Sequence, residues 1–472
     1  MQISKLKVLL FTTPCGLAKG RVKKPVFGMQ PLGILYLATY LKRNADFECD
    51  IKICDAYTFG YNEQYIKKLV SSFKPHMVGV SSVTRHICDA QHICLISKEI
   101  DNTIVTVLGG SHPTALPKET VRDSNVDIVV NGEGELTFSR ICKKIYNKEK
   151  WDSIEGIAFT KGSEEIINGG VQIIPNIDEL PYPDLTMLPD IKYYNPAPVW
   201  GKKGNFTTMI TSRGCPFDCS FCSVASNQGK KYRCQSAESI VDELIYKKNK
   251  FGITNVAFKD GTFTLNRKRI MEFCNILIKN NIVIHWSCNA RADEYDIEML
   301  KLMKSAGCRL IQIGIEQGNP NLIKKHKKVS REQVIKTTEL AYQAGIDMHG
   351  FFMLGMPEEN MSTMRETIDF SKQLKLRTAN FSIFTPLPGT DAYDEILKND
   401  GTLNEKWDAY DAQHKAGSWE HPNLSYEQLM LMRRTAFREF YLRPNIIINE
   451  LRNINSCADV MNYVRTGLSF LF

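Results

Sequence analysis

The stretch "NFTTMITSRGCPFDCSFCSV" (residues 205–224) opens as a strand and ends as a loop crowded with thiols. Gly214 and Pro216 break the strand, and Cys215, Cys219 and Cys222 follow with three and then two residues between them. Three thiolates so close together on a loop can converge on one metal centre. A structural zinc site wants four protein ligands, often from a second paired motif downstream, and no such pair follows; Cys234 and Cys274 are isolated. A cubane iron–sulfur cluster held by three cysteines leaves one iron open, so the missing ligand becomes a place for a substrate or cofactor to bind.

Downstream, "NVAFKDGTF" (255–263), "VIHWSCNAR" (283–291), "RLIQIGIE" (309–316), "MHGFFMLGMP" (348–357) and "ANFSIFTPLPG" (379–389) continue the series, separated by helical stretches. Six strands with intervening helices predict a partial or complete barrel over residues 205–395, with its chemistry at the carboxyl ends of the strands. After residue 395 the alternation ends, and residues 396–472 read as a mostly helical cap.

Upstream, strand and helix alternate five times between residues 7 and about 147, which predicts a doubly wound parallel sheet in a first domain, residues 1–150. Ligands of such sheets sit at the carboxyl ends of the strands. The turns "TTPCG" (12–16), "SSVT" (81–84), "GGSHPT" (109–114) and "NGEGE" (131–135) all fall there. Three of them supply the glycine or proline that lets backbone approach a ligand closely. Each alone is readable as a tight strand-to-helix turn; four around one edge favour a flat, large ligand. The candidate contacts are Pro14, Ser81, Thr84, Gly109, Gly110, His112, Gly132, Glu133 and Gly134. Residues 151–204, with prolines at 175, 181, 183, 189, 196 and 198, read as a linker or wrapping segment.

A chain of 472 residues has room for two or three domains, and 43% hydrophobic with 24% charged residues is ordinary globular composition. The net charge of +8 is spread thinly, and its densest patches, Lys19 to Lys24 and Lys324, Lys325, Lys327 and Lys328, lack interleaved aromatics. They read as solvated surface or as partners of an anionic ligand, and no nucleic-acid partner is expected. Most of the fourteen cysteines stand singly in apolar runs, as small buried hydrophobes do. No run approaches the roughly 18 apolar residues of a membrane span, and a cytoplasmic, reduced protein is expected.

The Cys-x3-Cys-x2-Cys spacing, with Phe221 before the last cysteine, resembles the signature of the radical SAM enzymes. "FKDGTFTLNRKR" (258–269), "WSCNARAD" (286–293), "AGCRLIQIGIEQGNPNLIKKHKK" (306–328), "GFFMLGMPEEN" (350–360) and "FTPLPGTDAY" (384–393) resemble that family's later motifs in order. The resemblance implies that Cys215, Cys219 and Cys222 ligate a 4Fe-4S cluster whose open iron chelates S-adenosylmethionine. It also implies that backbone near Phe221 meets the adenine, and that Glu316 takes the ammonium or ribose region. Arg291 would pair with the carboxylate, for which a planar guanidinium is suited. Either of these two charged residues is alternatively a structural ion pair inside the barrel, and Asp260 is a cofactor contact or only the orienter of a turn.

The first domain resembles the cobalamin-binding domain that precedes the barrel in one large subclass, "GGSHPT" and "NGEGE" being the most telling matches. The fold this implies is α/β: a Rossmann-like cobalamin domain, a partial (β/α)6 radical SAM barrel and a mostly helical C-terminal cap. His112 is readable as a cobalt ligand, but its glycine-rich context favours a corrin or nucleotide-edge contact. The Asp-x-His-x-x-Gly motif that supplies an axial histidine is absent, since "DAQH" (89–92) has the wrong spacing, so the lower cobalt face is expected to lack a histidine ligand. The tail "REFYLRPNIIINELRNI" (438–454) resembles the subclass's C-terminal segment; Tyr441 and Arg443 either reach the substrate cavity or pack.

The resemblance implies methylation of an unactivated carbon of a small-molecule or lipid substrate. One adenosylmethionine would supply a radical and a second would remethylate cobalt, with a reductant such as flavodoxin or ferredoxin as partner. The alternatives are a cobalamin-dependent cyclase or rearrangement enzyme, a methylthiotransferase, and a noncatalytic cobalamin or metal sensor.

Overall fold

The computed structural model describes residues 3–25, 27–194, 204–293, 295–399, 401–410, 417–444 and 446–448. In the strand Leu6–Thr12 (β1) apolar residues run almost without interruption, as burial on both faces requires. Period-two alternation sends Leu6, Val8 and Leu10 into one core and Leu9 and Phe11 into another. Helices Leu32–Asn44 and Gly134–Tyr146 close the first core, and Glu63–Phe73 and Ile87–Ile100 close the second.

Strands Cys49–Cys54 (β2) and Met77–Ser81 (β3) flank β1, and Val105–Gly109 (β4) and Ile128–Val130 (β5) extend the sheet, all parallel. The chain leaves β1 toward β2 on one side and returns to β3 on the other, so the switch point of this doubly wound sheet lies between β1 and β3. Segment 151–204, expected as a linker or wrapping segment, contains a hairpin, Ile157–Lys161 (β6) and Glu164–Asn168 (β7), with β6 antiparallel to β5 and to β7. Ile157 and Phe159 face the first core while Ala158 joins the second, and Gly162 turns the hairpin at φ 65°. Of the segment's prolines, those at 196 and 198 lie outside the described residues.

Two compact units divide the chain. The first comprises Met1–Phe217, Cys222–Gly261 and Leu387–Thr390; the second comprises Asp218–Phe221, Thr262–Pro386 and Asp391–Phe472. The expected barrel segment, 205–395, contributes to both. In the first unit Asn205–Met209 (β8) pairs in parallel with Ile253–Phe258 (β11), and Ser212–Arg213 (β9) pairs antiparallel with Arg233–Cys234 (β10). Gln30 occupies backbone groups of β8: its amide donates to Phe206 O at 3.0 Å and its oxygen accepts from Thr208 N at 3.2 Å. An exposed row of unpaired strand groups is a liability that this contact covers.

The second unit carries four parallel strands, His285–Ala290 (β12), Cys308–Glu316 (β13), Asp347–Leu354 (β14) and Thr378–Ile383 (β15). One face is apolar and packs on helices: Phe381 stacks on Phe352 and meets Phe437 and Phe440 of helix Tyr426–Tyr441 edge-on. Tyr441 Oη donates to Ala379 O at 2.7 Å and accepts from Ala379 N at 3.1 Å, while Arg443 binds the carbonyls of Phe440 and Lys372. Both residues therefore pack in the structure, bracing β15 and the adjoining helices. Residues 411–416 and 449–472 of the expected cap lie outside the described residues.

The tight turn after β14 buries a carboxylate. Glu359, fully buried, accepts from the backbone N–H groups of Gly355 and Met356 at 2.6 and 2.9 Å. Burial raises its pKa from 4.5 to about 7 against the pull of those two donors. The folded chain thus keeps a proton that the unfolded chain releases, so the group's stabilising contribution is full below pH 4.5 and lost as pH rises to 7. Glu359→Gln is expected to remove a decline of roughly 3 kcal/mol across that window. Chemical denaturation at a series of pH values checks this, and parallel curves for the two proteins would refute it.

Candidate functional site

The cysteine loop is entered through a turn whose geometry is set from the neighbouring strand end. Asp260, 1% exposed just beyond β11, accepts from Thr211 N at 2.8 Å and from the hydroxyls of Thr211 and Ser212 at 3.1 and 2.6 Å. Its carboxylate is occupied by the turn, and we assign it a positioning role. Gly214 follows at φ 77°, where a Cβ would lie 2.2 Å from Lys231 O, so the loop starts only with glycine there. Cys215, Cys219 and Cys222 are half-buried and outside any disulfide. Among the described residues no three Cys, His, Asp or Glu side chains converge as they would on one ion. A cubane, which offers each thiolate a separate iron, does not need that convergence, and the loop's donor set fits it.

In the first unit a cavity of 320 Å³ opens at the carboxyl ends of β3, β4 and β5. Ser81, Gly109, Gly110, Gly132, Glu133 and Gly134 line it, in keeping with the strand-end turns. Pro14, Thr84 and His112 are buried but do not line it. Burial pulls the His112 imidazole down to about 4, so it is neutral at physiological pH. Gly33 also borders the cavity, and a Cβ there would meet no protein atom within 4 Å and would project into open space. Gly110 holds φ 108°, and a Cβ there would lie 2.3 Å from Ser82 O, so no side chain is tolerated. A glycine-walled space of this size admits a flat heterocycle such as the benzimidazole base of cobalamin, and the residues present fit that group.

Glu133 borders the cavity yet spends its carboxylate elsewhere. Its oxygens accept from Arg233 at 2.6 and 2.9 Å, from Arg213 at 3.2 Å and from Ile174 N at 2.8 Å. Glu135 takes the other side of Arg213 at 2.6 Å. Since Arg213 and Arg233 pair across β9 and β10, this network ties the "NGEGE" turn to the two short strands flanking the cysteine loop.

In the second unit Cys219, Phe221, Arg291 and Glu316 come together, and Lys327 joins them. Arg291 Nη1 points at Cys219 Sγ, 3.8 Å away, while the rest of its guanidinium holds Asp293 at 3.0 and 3.2 Å and Lys327 O at 3.2 Å. Lys327 Nζ lies 3.0 Å from Glu316 and 5.7 Å from the centre of the Phe221 ring. Burial opposes the Lys327 charge, but Glu316 and the Cys219 sulfur outweigh it and raise its pKa. Glu316 itself sits at φ 69°, an uncommon conformation for a residue with a side chain, and Gly314 leaves the space its carboxylate fills. The arrangement sets two cations, Arg291 and Lys327, and their carboxylate partners, Asp293 and Glu316, around a thiol and an aromatic ring, residue types complementary to the carboxylate, ammonium and adenine of adenosylmethionine.

Ser220, His326 and Glu358 of this corner are not singled out by the sequence. Lys327 lies within a run that reads as solvated surface or as partners of an anionic ligand. Ser220 Oγ bonds His326 Nδ1 at 2.8 Å, and His326 Nε2 bonds Glu358 at 3.0 Å, pinning the cysteine loop from inside the same unit. His326, with Lys325 assisting, holds the Glu358 carboxyl down at about 2. The local sign in the sequence is no more than a histidine among lysines.

Residues 209–371 match the family profile described as the Radical SAM superfamily, and residues 19–142 match that of the B12 binding domain. An uncharacterized methyltransferase of Pyrococcus horikoshii is 31% identical over 448 residues, covering 94% of this chain and 95% of the relative. The anaerobic magnesium-protoporphyrin IX monomethyl ester cyclase of Rubrivivax gelatinosus is 29% identical over 379 residues, 78% of this chain and 66% of the relative. The fold is similar to that of the cobalamin-dependent S-adenosylmethionine radical enzyme OxsB, with TM-score 0.75 and 19% identity over 98% of this chain and 71% of that one.

Proposed function

This chain belongs to the cobalamin-dependent radical SAM enzymes, and we propose that it methylates an unactivated carbon of a small molecule. The observation that carries the reading is the Cys219 corner, where Arg291, Lys327 and Glu316 offer adenosylmethionine its charge complement beside a cluster thiol. When bound, the cluster with adenosylmethionine supplies hydrogen-atom abstraction, and cobalamin supplies a carried methyl group. The protein's own groups do the rest: Asp260 fixes the turn into the thiol loop, His326 holds Ser220, and the glycines at the strand ends admit the cobalamin base. Arg291 and Lys327 are assigned to the adenosylmethionine carboxylate and Glu316 to its ammonium or ribose.

The reduction needs an external one-electron donor, for which a flavodoxin or ferredoxin suits. Among the described residues no helix is long and apolar enough to cross a membrane, and a cytoplasmic setting suits the oxygen-sensitive cluster. A second reading, cyclisation, is supported by the similarity to the Rubrivivax cyclase. Anaerobic reconstitution followed by quantification of iron, cobalt and 5'-deoxyadenosine tests the cofactor roles. Label passing from methyl-deuterated adenosylmethionine to bound cobalamin is the expected sign of methyl transfer. Deoxyadenosine formation with no label transfer would instead support cyclisation, and absence of both would refute the radical chemistry.

A further inference from the structure

The cavity at the carboxyl ends of β3, β4 and β5 reaches between the sheet and two of the helices that cover it. Leu10, Val107 and Val130 line it from the strands, and Ile34, Leu37 and Phe138 from helices Leu32–Asn44 and Gly134–Tyr146. All of these side chains belong to the first hydrophobic core or pack against it. The strand backbone adds no free group there, because β1, β3, β4 and β5 are interior strands whose donors and acceptors are consumed by the ladders.

Most polar side chains that border the cavity are already engaged. Tyr36 Oη donates to Ile210 O at 3.3 Å, Glu133 and Glu135 hold Arg213 at 3.2 and 2.6 Å, and Thr114 Oγ1 accepts from Gly132 N at 3.0 Å. Asn227 is different: its Nδ2 donates to Ser223 O at 2.8 Å, while its Oδ1 is buried without a partner among the described residues. It stands in the short helix Val224–Gln228 after the cysteine loop, away from the strands and from both covering helices in sequence.

We propose that this cavity selects among cobamides by their lower group, accepting apolar ones, whether benzimidazolyl or phenolyl, and rejecting purines. A dimethylbenzimidazole brings a methylated benzo edge that suits the side chains of Leu10, Ile34 and Phe138, since burial of apolar surface is favourable. Adenine carries ring nitrogens and an exocyclic amine on the corresponding edge, and each group desolvated without a partner costs about tenfold in affinity. Recognition by apolar contact asks for no nitrogen, so a phenolyl group, which cannot coordinate cobalt, is accepted as well. Asn227 Oδ1 is assigned to an amide or hydroxyl hydrogen of the part that all cobamides share, and it adds affinity without discrimination. This rests on the reading that cobalamin serves the chain, and it goes further by setting which cobamides do.

Equilibrium titration of the full-length protein, reconstituted with its cluster but free of corrinoid, tests this without turnover; the ligands are cobalamin, p-cresolylcobamide, adeninylcobamide and cobinamide. Cobalamin and p-cresolylcobamide are expected to bind within about threefold of each other, and adeninylcobamide at least about tenfold more weakly. Cobinamide, which has no lower group, is expected to bind more weakly than cobalamin. Leu37→Gln, at a partly buried helix position and with similar helix propensity, gives the purine a partner and should narrow its deficit to less than about threefold. Asn227→Ala is expected to weaken every ligand by a similar factor. Equal affinity of the wild type for cobalamin and adeninylcobamide, cobinamide binding as tightly as cobalamin, or a loss in Asn227→Ala confined to adeninylcobamide would overturn the selectivity and leave the cobalamin reading standing. Binding of none of the ligands would defeat that reading and the proposal with it.

Discussion

Replacing Cys219 by alanine is expected to abolish the iron–sulfur absorbance of the reconstituted protein and to lower 5'-deoxyadenosine formation by more than about a hundredfold. Residues that merely orient a metal's ligands already cost about 10–100-fold when lost, so deletion of a ligand exceeds that. The thiol is half-buried with Arg291 Nη1 at 3.8 Å, a cation that favours the thiolate a cluster requires. Cys234→Ala is the informative control. That thiol lies twelve residues after Cys222 on the two-residue strand β10, and the reading of three protein ligands with one open iron assigns it no role. Iron content and deoxyadenosine yield should stay near wild type in Cys234→Ala and collapse in Cys219→Ala. Equal loss in both variants would make Cys234 a fourth ligand and close the iron proposed for adenosylmethionine.

The contrast between these two cysteines shows where sequence pattern is informative. Spacing on one loop is a local property, and so is the alternation that divides β1 between two cores, Val8 and Leu10 to one and Leu9 and Phe11 to the other. Both are legible, as are the strand-end turns, because each depends on residues a few positions apart. The hairpin Ile157–Asn168 is not, since its short strands mix apolar and charged residues between glycines at 156, 162 and 169. Lys327 is only half legible, because its run reads as solvated surface or as partners of an anionic ligand and does not say which lysine turns inward. Its neighbours Lys324 and Lys328 are exposed, and only the turn of helix Pro320–Lys327 against β13 carries its ammonium to Glu316. Polar contacts between distant segments leave no periodic trace, and the site is built largely from them.

Glu133 is the strongest case of such a contact, and its loss is expected to be the most destabilising change to a charged group in the first unit. The "NGEGE" turn marks it as a cofactor contact, and it does border the cavity. Its carboxylate, however, receives Arg233, 100 residues away, and Arg213, 80 residues away, with every side chain no more than 9% exposed. Removing one member of a buried ion network leaves the other charges desolvated and uncompensated, which costs about 3–5 kcal/mol. Glu133→Ala should therefore lower the unfolding temperature by roughly 10 °C. Glu133→Gln keeps an acceptor for Ile174 N and one guanidinium and should lose less. If Glu133 were chiefly a cobalamin ligand, both variants would unfold like wild type without cofactor and differ only in cobalamin affinity. Calorimetry on the cofactor-free protein separates the two cases. A shift already present without cobalamin makes Glu133 the tie between the cavity turn and the arginines on either side of the cysteine loop.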